Sequence, residues 1–319
     1  MAKRLSLDQL LNDLGAVRQD PSSPASRAAL LKGLASSSGV LVEKAASLIG
    51  ELKLNSLASE LAAAFERFVT ANDPGCAAKI AVSRALLDTH AGDVAEPVYR
   101  RGLRVRQREG STDVAGALRG FCALGLLNLR SRDALVELTD LLADPEPAAR
   151  TAAVRGLAST GREEAGLLIR LRLLVGEPSP DVLTEALVAL LRLDPDRSLP
   201  FAGRLLDDES PDVRDAAALA LGESRHAGAL PLLRRAYQRE RDDQTRKTIL
   251  VAAGLLRGQD AGDWLTAVVE NGPPAEALAA LQSLRVRRRE SGLAGRIRAI
   301  VSARAIATLQ RELDQHWGE

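Results

Sequence analysis

The chain has few of the residues that compact two-domain proteins of its length use to build their cores. Only 3% of its 319 residues are aromatic, although 46% are hydrophobic. The longest apolar run, 249–256, is far shorter than the roughly 18 residues that a transmembrane helix needs. Lys plus Arg number 43 and Asp plus Glu 42, so the net charge of +1 points to no class of partner. We therefore predict a soluble protein without a membrane segment.

Residues that carry out catalysis or bind metals are also scarce. Cys76 and Cys122 form neither a disulfide framework nor a Cys-x-x-Cys site, which favours a reducing cytoplasm. The three histidines are isolated, and the sequence contains no Gly-rich phosphate loop, His-x-x-x-His pair or Gly-x-Ser-x-Gly motif. Residues 1–20 lack a secretory signal, and the preference for Arg over Lys suggests a bacterial source. We expect a cytoplasmic protein that is not an enzyme and has no metal and no cofactor.

One pattern recurs along almost the whole chain and is clearest at 210–223, which begins Ser-Pro-Asp-Val-Arg. With Arg214 as the anchor, equivalent positions follow at intervals of 30 to 36 residues. Apolar or small residues just before and after each anchor share one helical face. The anchors are Glu43, Lys79, Ala115, Arg150, Leu183, Arg214, Arg246 and Glu276. Four residues earlier we expect the helices to start, at residues that are all good N-caps except Glu146: Gly39, Gly75, Ser111, Glu146, Ser179, Ser210, Asp242 and Gly272.

A second amphipathic segment separates successive copies, so each unit reads as a helical hairpin. Because neither helix can bury its apolar stripe alone, the hairpins are expected to stack. The predicted fold is all-α, a right-handed α-solenoid (superhelix) of about eight hairpins that forms a single domain over 1–319. Within it we expect an N-terminal cap (1–25), divergent repeats (26–127), well-matched repeats (128–284) and an Arg-rich C-terminal cap (285–319). One long helix is expected at 291–315.

The Ser-Pro-Asp-Val-Arg-x-Ala-Ala motif that begins the copy at 210–222 resembles HEAT repeats, with weaker copies at 144–157 and 179–191. It is most similar to the short HEAT-like repeats of phycobilin lyases. The resemblance implies an Asp–Arg ladder between repeats, with Asp144 beside Arg150 and Asp212 beside Arg214. It also implies a scaffold that binds other proteins, although a fold alone does not fix a function.

The position five residues after the anchor departs from that family, in which it lies on the concave surface and is usually charged. If the helices are oriented as in the family, the residues at this plus-five position in the last four copies form an apolar stripe along the concave groove. Arg155 and Lys247 would then lie at the rim of the groove. Contiguous exposed apolar surface marks a partner site, so we predict that a helix or peptide of an unidentified protein docks there. The alternative is that the stripe is core. The last four copies carry Val188, Leu219, Val251 and Leu281.

Two other functions compete with this non-catalytic scaffold. Clustered arginines can bind phosphates, which makes a nucleic-acid-binding solenoid the first alternative. The balanced net charge and the lack of aromatic residues among these arginines count against it. An enzyme accessory of the bilin lyase kind is the third possibility and rests on the repeat type alone. The candidate phosphate-binding residues are Arg100, Arg101, Arg104, Arg288 and Arg289.

Overall fold

The computed structural model describes residues 7–317, so the first six residues of the predicted N-terminal cap and the last two of the C-terminal cap lie outside it. None of its helices is long and apolar enough to cross a bilayer. Two short strands, β1 (Arg108–Glu109) and β2 (Thr112–Asp113), form an antiparallel hairpin. The helices are α1 (Leu7–Ala16), α2 (Pro24–Ala35), α3 (Gly39–Glu51), α4 (Ala58–Thr70), α5 (Ala77–Asp88), α6 (Gly92–Gly102), α7 (Gly116–Asn128), α8 (Ala134–Leu141), α9 (Pro147–Ser159), α10 (Glu163–Val175), α11 (Pro180–Leu193), α12 (Pro195–Leu205), α13 (Pro211–Ser224), α14 (Ala229–Arg239), α15 (Asp243–Leu255), α16 (Gln259–Asn271), α17 (Pro274–Ser283), α18 (Leu293–Arg304) and α19 (Ala307–His316).

The helices pack into two units, Met1–Thr160 and Gly161–Glu319. In the first unit α3, α5, α7 and α9 stack in sequence, and α2, α4, α6 and α8 each pack against the helix that follows. In the second unit α11, α13, α15 and α17 stack in the same way, each paired with the helix before it. Stacked hairpins of this kind confirm the predicted all-α solenoid.

Close contact between stacked helices explains why the core needs few aromatic side chains. A Cβ atom added to Gly222 on α13 would lie 2.4 Å from the carbonyl oxygen of Ala252 on α15. Ala216, Ala217 and Ala218 on α13 are likewise buried. Small side chains let the helix backbones approach closely, so that close packing between helices fills the core without bulky aromatic side chains.

Predicted helix starts are confirmed where the repeats match best. Glu146, Ser179, Ser210 and Asp242 occupy the N-cap positions of α9, α11, α13 and α15. Pro follows the cap directly in α9, α11 and α13, where its missing N–H costs nothing. The Asp242 carboxylate accepts a hydrogen bond from the backbone N–H of Thr245 at 2.8 Å. Asp242 is the one of these four residues whose side chain caps its helix, and in the other three helices the boundary coincides with the Pro that begins the helix.

Predicted starts in the divergent half are wrong at two positions. Gly75 has a φ of +62° and lies in a 3-10 turn. Helix α5 begins at Ala77 instead, where the Asp73 carboxylate accepts hydrogen bonds from the N–H groups of Ala78 (2.9 Å) and Lys79 (3.1 Å). Ser111 lies in the turn of the β-hairpin, and α7 begins five residues later.

Two further predicted caps, Gly39 and Gly272, miss the N-cap position by one residue. Helix α3 begins at Gly39 itself, and α17 begins at Pro274 after the N-cap Pro273. Helix boundaries commonly vary by this amount.

The predicted single helix at 291–315 is also wrong. Ala305 has a left-handed φ of +51° and separates α18 from α19. This break brings α19 against α17, and Leu309 and Leu313 of α19 enter the same core as Leu281 of α17 and Ile297 of α18. Burial of these side chains favours the two-helix arrangement over one long exposed helix.

Candidate functional site

The predicted apolar stripe at the plus-five position is not a continuous exposed surface. Val188 is 4% exposed and Leu281 is fully buried, so the prediction of an accessible stripe is wrong at both residues. Helix α11 packs against α10, α12 and α13, and every side chain from 186 to 191 is buried. Leu281 is covered by the C-terminal helices.

The other two stripe residues are more accessible. Leu219 is half-buried, and Val251 is 44% exposed on α15. Lys247 lies one helical turn before Val251 and is half-buried, so the structure does bring these two together. Arg155 is exposed on α9 of the first unit. Partner binding by these residues stays a prediction.

Four of the ten large hydrophobic side chains that are exposed among residues 7–317 instead lie on α10. Four aliphatic side chains recur at i, i+4, i+7 and i+8 and therefore share one face of this helix. We call them the α10 face. Only Ala165 and Ile169, on the opposite side of the helix, are buried. The exposed fractions are 59% for Leu167, 57% for Leu171, 64% for Leu174 and 74% for Val175.

A cavity of about 800 Å³ adjoins the α10 face at Leu167. Leu190 and Leu193 of α11 line its apolar part. Its rim is charged, since Arg197 of α12 forms ion pairs with Glu163 (3.0 Å) and Asp194 (3.5 Å). The guanidinium group of Arg170, which also lines the cavity, lies 4.3 Å from the centre of the Phe201 ring and closes one side. The surface thus combines an apolar ridge with a depression that has a polar edge.

The sequence contained a signal for this surface that the repeat alignment missed. Seven of the nine residues from 167 to 175 are apolar, and they are distributed around the helix. One face of a helix at the surface of a hairpin cannot bury them all. A helix that has apolar residues on all of its faces must pack against other elements on more than one side to bury them.

Comparison with known proteins identifies the repeat type. A model of HEAT repeats matches residues 167–252 and again 204–285, somewhat more than a third of the chain. The match to HEAT repeats therefore covers residues 167–285 and not the chain as a whole. This fold is typical of proteins that bind other proteins. No curated protein sequence matches the chain.

Solved structures that overlap with this chain share little sequence with it. One is an engineered protein, with 16% identity, a TM-score of 0.36, and coverage of 98% of this chain and 92% of that one. Another is the complex of CpcE and CpcF of phycocyanin lyase from Nostoc sp. PCC7120, with 18% identity, a TM-score of 0.36, and coverage of 86% and 93%. At such TM-scores the overlap supports no inference about function.

Within residues 167–285 an ion-pair ladder joins successive hairpins, and it includes the predicted Arg214 but not the predicted Asp212. Arg214 donates to the carboxylate of Glu240 in the next repeat at 2.7 Å and to the carbonyl oxygen of Asp208 at 2.9 Å. Arg246 repeats this pattern with Glu276 at 2.9 Å. Burial acts to raise the pKa of Glu240, but two backbone N–H groups and Arg214 together lower it below the usual value. The expected partner of Arg214, Asp212, is exposed, so that prediction is wrong.

Outside the HEAT repeats the first unit contains a related buried cluster. Arg119 is fully buried and forms a bidentate pair with Asp144 at 2.6 and 2.8 Å, and it donates to Asp113 at 2.8 Å. Arg150, which the resemblance placed beside Asp144, donates to the carbonyl oxygen of Asp144 at 2.9 Å. Lys79, also buried, pairs with Asp73 at 3.0 Å.

The first group of candidate phosphate-binding arginines is largely occupied by carboxylates. Arg100 pairs with Glu96 at 2.8 Å and Asp133 at 2.9 Å. Arg104 pairs with Glu137 at 2.7 Å. A phosphate would have to displace these carboxylates, so the ion pairs weigh against nucleic-acid binding here. Arg101 is exposed beside them.

The second group is different, because Arg288 and Arg289 are exposed and border a cavity. That cavity has a volume of about 670 Å³.

Neither the cysteines nor any metal-ligand cluster provides a reactive centre in the part of the chain that the structure describes. Cys76 and Cys122 are both buried and free. Burial raises the pKa of Cys76 to about 11 and that of Cys122 to about 12, so both remain protonated near neutral pH. Over residues 7–317, no three His, Cys, Asp or Glu side chains are grouped as metal ligands would be.

Proposed function

We propose that the protein is a non-catalytic scaffold that binds an amphipathic helix of another protein along the α10 face. The observation that carries this proposal is the exposure of four aliphatic side chains, each more than half accessible, on one side of a single helix. Contiguous apolar surface of this kind is uncommon on monomeric proteins and marks interaction sites. The HEAT-repeat fold supports the same conclusion.

The spacing of the α10 face favours a helix as the occupant. Leu167, Leu171 and Leu174 follow the alternating four- and three-residue steps with which helices interlock side by side. The 13 residues of α10 span about 20 Å at 1.5 Å per residue. A partner helix of three to four turns would cover that length. The cavity beside Leu167 would accept a larger apolar side chain from one end of it.

The apolar contacts supply enough free energy for specific binding. Full burial of a Leu or Val side chain contributes about 1.5–3 kcal/mol. Since the four side chains are 57–74% exposed, each would contribute about 1–2 kcal/mol on being covered. Part of this sum is lost to the ordering of the partner. Replacing Leu171 by Ala should therefore weaken binding by roughly 5- to 30-fold.

The alternatives receive less support from the described residues. The plus-five stripe offers one exposed aliphatic side chain, Val251, and a half-buried one, Leu219. Arg100 and Arg104, two of the five candidate phosphate-binding arginines, already form ion pairs with carboxylates. We therefore place the interaction on α10 and do not propose nucleic-acid binding.

Site-specific photo-crosslinking tests the proposal. A photoreactive phenylalanine analogue would be placed at position 171 and, as a matched control, at position 136 on α8, where Val136 is 60% exposed. Crosslinking in the native cell, followed by peptide mapping, should join position 171 to one segment whose apolar residues recur every three or four positions. Position 136 should give no such adduct. Identical adducts from the two positions, or none from position 171, would contradict the proposal.

A second copy of the chain is the competing occupant of the α10 face. Sedimentation velocity of the purified protein and of Leu171→Asp separates the two cases. The proposal predicts a monomer for both. If the wild type is a dimer and Leu171→Asp is a monomer, the α10 face binds a second copy of the chain and the proposed partner helix is wrong.

A further inference from the structure

The C-terminal cap contains a group of positive charges that the scaffold function does not use. Most arginines between 285 and 304 are bound within the unit, whereas Arg288 and Arg289 have no carboxylate within ion-pair distance among residues 7–317. Both lie in the turn that follows the 3-10 segment Leu284–Arg287. The bound arginines are Arg285 with Glu312, Arg287 with Glu290, Arg296 with Asp263, and Arg304 with the carbonyl oxygens of Val269 and Gly272.

The two unpaired arginines border one cavity. Its volume is about 670 Å³, within the range of small-molecule sites. Arg298 of α18 lies on the same cavity, where its guanidinium group donates to the carbonyl oxygen of Trp317 at 3.0 Å. Asp314 is the one acidic residue among the described lining residues, and His316 lies beside it. The described lining residues therefore include three arginines and one carboxylate.

Helix dipoles do not decide the sign of the potential in this cavity. Ala294, in the first turn of α18, brings the positive end of that helix to the wall. The last turn of α19, with Asp314 and His316, brings a negative end. These partial charges oppose each other, so the arginine side chains determine the preference for an anion.

We propose that this cavity binds a small organic anion that carries a phosphate group. Each guanidinium group presents paired N–H donors that match two oxygens of a phosphate. Arg288 and Arg289 have no carboxylate to give up before binding, unlike Arg100 and Arg104. The enclosed volume exceeds that of a phosphate ion and leaves room for the organic part of the ligand. This inference is independent of the α10 face.

Isothermal titration calorimetry with inorganic pyrophosphate tests the proposal, at low and at physiological ionic strength. Wild-type protein should bind one equivalent, and Arg288→Ala/Arg289→Ala should bind at least ten-fold more weakly. The matched control is Arg296→Ala, because Arg296 is exposed but lies outside the cavity and pairs with Asp263. This control should bind like the wild type.

Three outcomes would overturn the proposal. Absence of saturable binding at physiological ionic strength would mean that the cavity attracts an adventitious ion only. An equal loss in Arg296→Ala would mean that general surface charge, and not the cavity, holds the anion. Because Arg288 and Arg289 are exposed, their replacement should leave thermal unfolding unchanged. The comparison therefore does not depend on a difference in folding. Equal competition by sulfate at the same concentration would also contradict a phosphate-specific site.

Discussion

Replacing Arg119 by Met should destabilise the first unit more than any surface substitution. Arg119 is fully buried, and the change removes its two hydrogen bonds to Asp144, one to Asp113 and one of 3.1 Å to the carbonyl oxygen of Val105. The Asp144 side chain is 2% exposed, so its charge remains in a poorly solvated place. Breaking a buried ion pair from one side costs about 3–5 kcal/mol.

Thermal and urea unfolding, followed by circular dichroism, would measure this loss. For a unit of this size about 2–4 °C is lost per kcal/mol, so the melting temperature should fall by roughly 6–20 °C. Arg101→Met, at an exposed arginine on α6, is the matched control and should stay within about 0.5 kcal/mol of the wild type. Adding Asp144→Leu to Arg119→Met should recover part of the loss, because it removes the buried charge of Asp144, although Asp113 still lacks its bond from Arg119. A loss below about 1 kcal/mol in Arg119→Met would refute the reasoning.

Three further predictions concern thiols, pH and packing. Cys76 and Cys122, with pKa values of about 11 and about 12, should resist a thiol reagent at pH 8 until the protein is unfolded; rapid modification of the native protein would contradict their burial. Because the pKa of Glu240 is lowered in the folded state, its stabilisation is fully present above about pH 4.5 and is lost as the pH falls through the folded value. The difference in unfolding free energy between the wild type and Glu240→Gln should therefore shrink in acid, whereas a constant difference would contradict the lowered pKa. Leu281→Ala should cost about 2–5 kcal/mol and Val251→Ala less than about 1, as measured by urea unfolding, and equal losses would contradict their different burial.

Local signals in the sequence were sufficient to predict the helices of the well-matched half. Pro at the first helical position, as at Pro180 and Pro211, marks a helix start that can be read without reference to the rest of the chain. The same reasoning failed at Gly75, because the cap of α5 comes from Asp73 through side-chain hydrogen bonds to two later N–H groups. It failed again at Ala305, whose backbone has a left-handed conformation that is unfavourable for alanine. Burial of α19 against α17 compensates for this cost.

The candidate site was harder to predict, because exposure depends on the neighbours of a helix as well as on its own residues. Leu219 and Leu281 occupy equivalent repeat positions and are the same residue type, yet only Leu281 is covered by the C-terminal helices. The α10 face shows the reverse case. Its apolar composition was visible at 167–175, but only the tertiary structure shows that the described residues leave one side uncovered.

The ladder partners show a third limit of the pattern. The sequence placed Asp212 next to Arg214, but the i to i+2 spacing on a helix points the two side chains in different directions. The carboxylate that Arg214 binds, Glu240, lies 26 residues later and one repeat further on. Ion pairs of this kind form because two stacked helices lie close together. The pattern within one repeat carries no information about which residues of the next repeat come close.

Binding of the partner segment that crosslinks to position 171 tests the central claim most directly. A synthetic peptide of that segment would be titrated into the wild type, Leu171→Asp and the control Val136→Asp, with circular dichroism to verify that all three are folded. The account predicts that Leu171→Asp weakens binding by at least 100-fold and that Val136→Asp binds like the wild type, because only Leu171 lies on the α10 face. Equal affinity of the wild type and Leu171→Asp, with all three proteins folded, would contradict it.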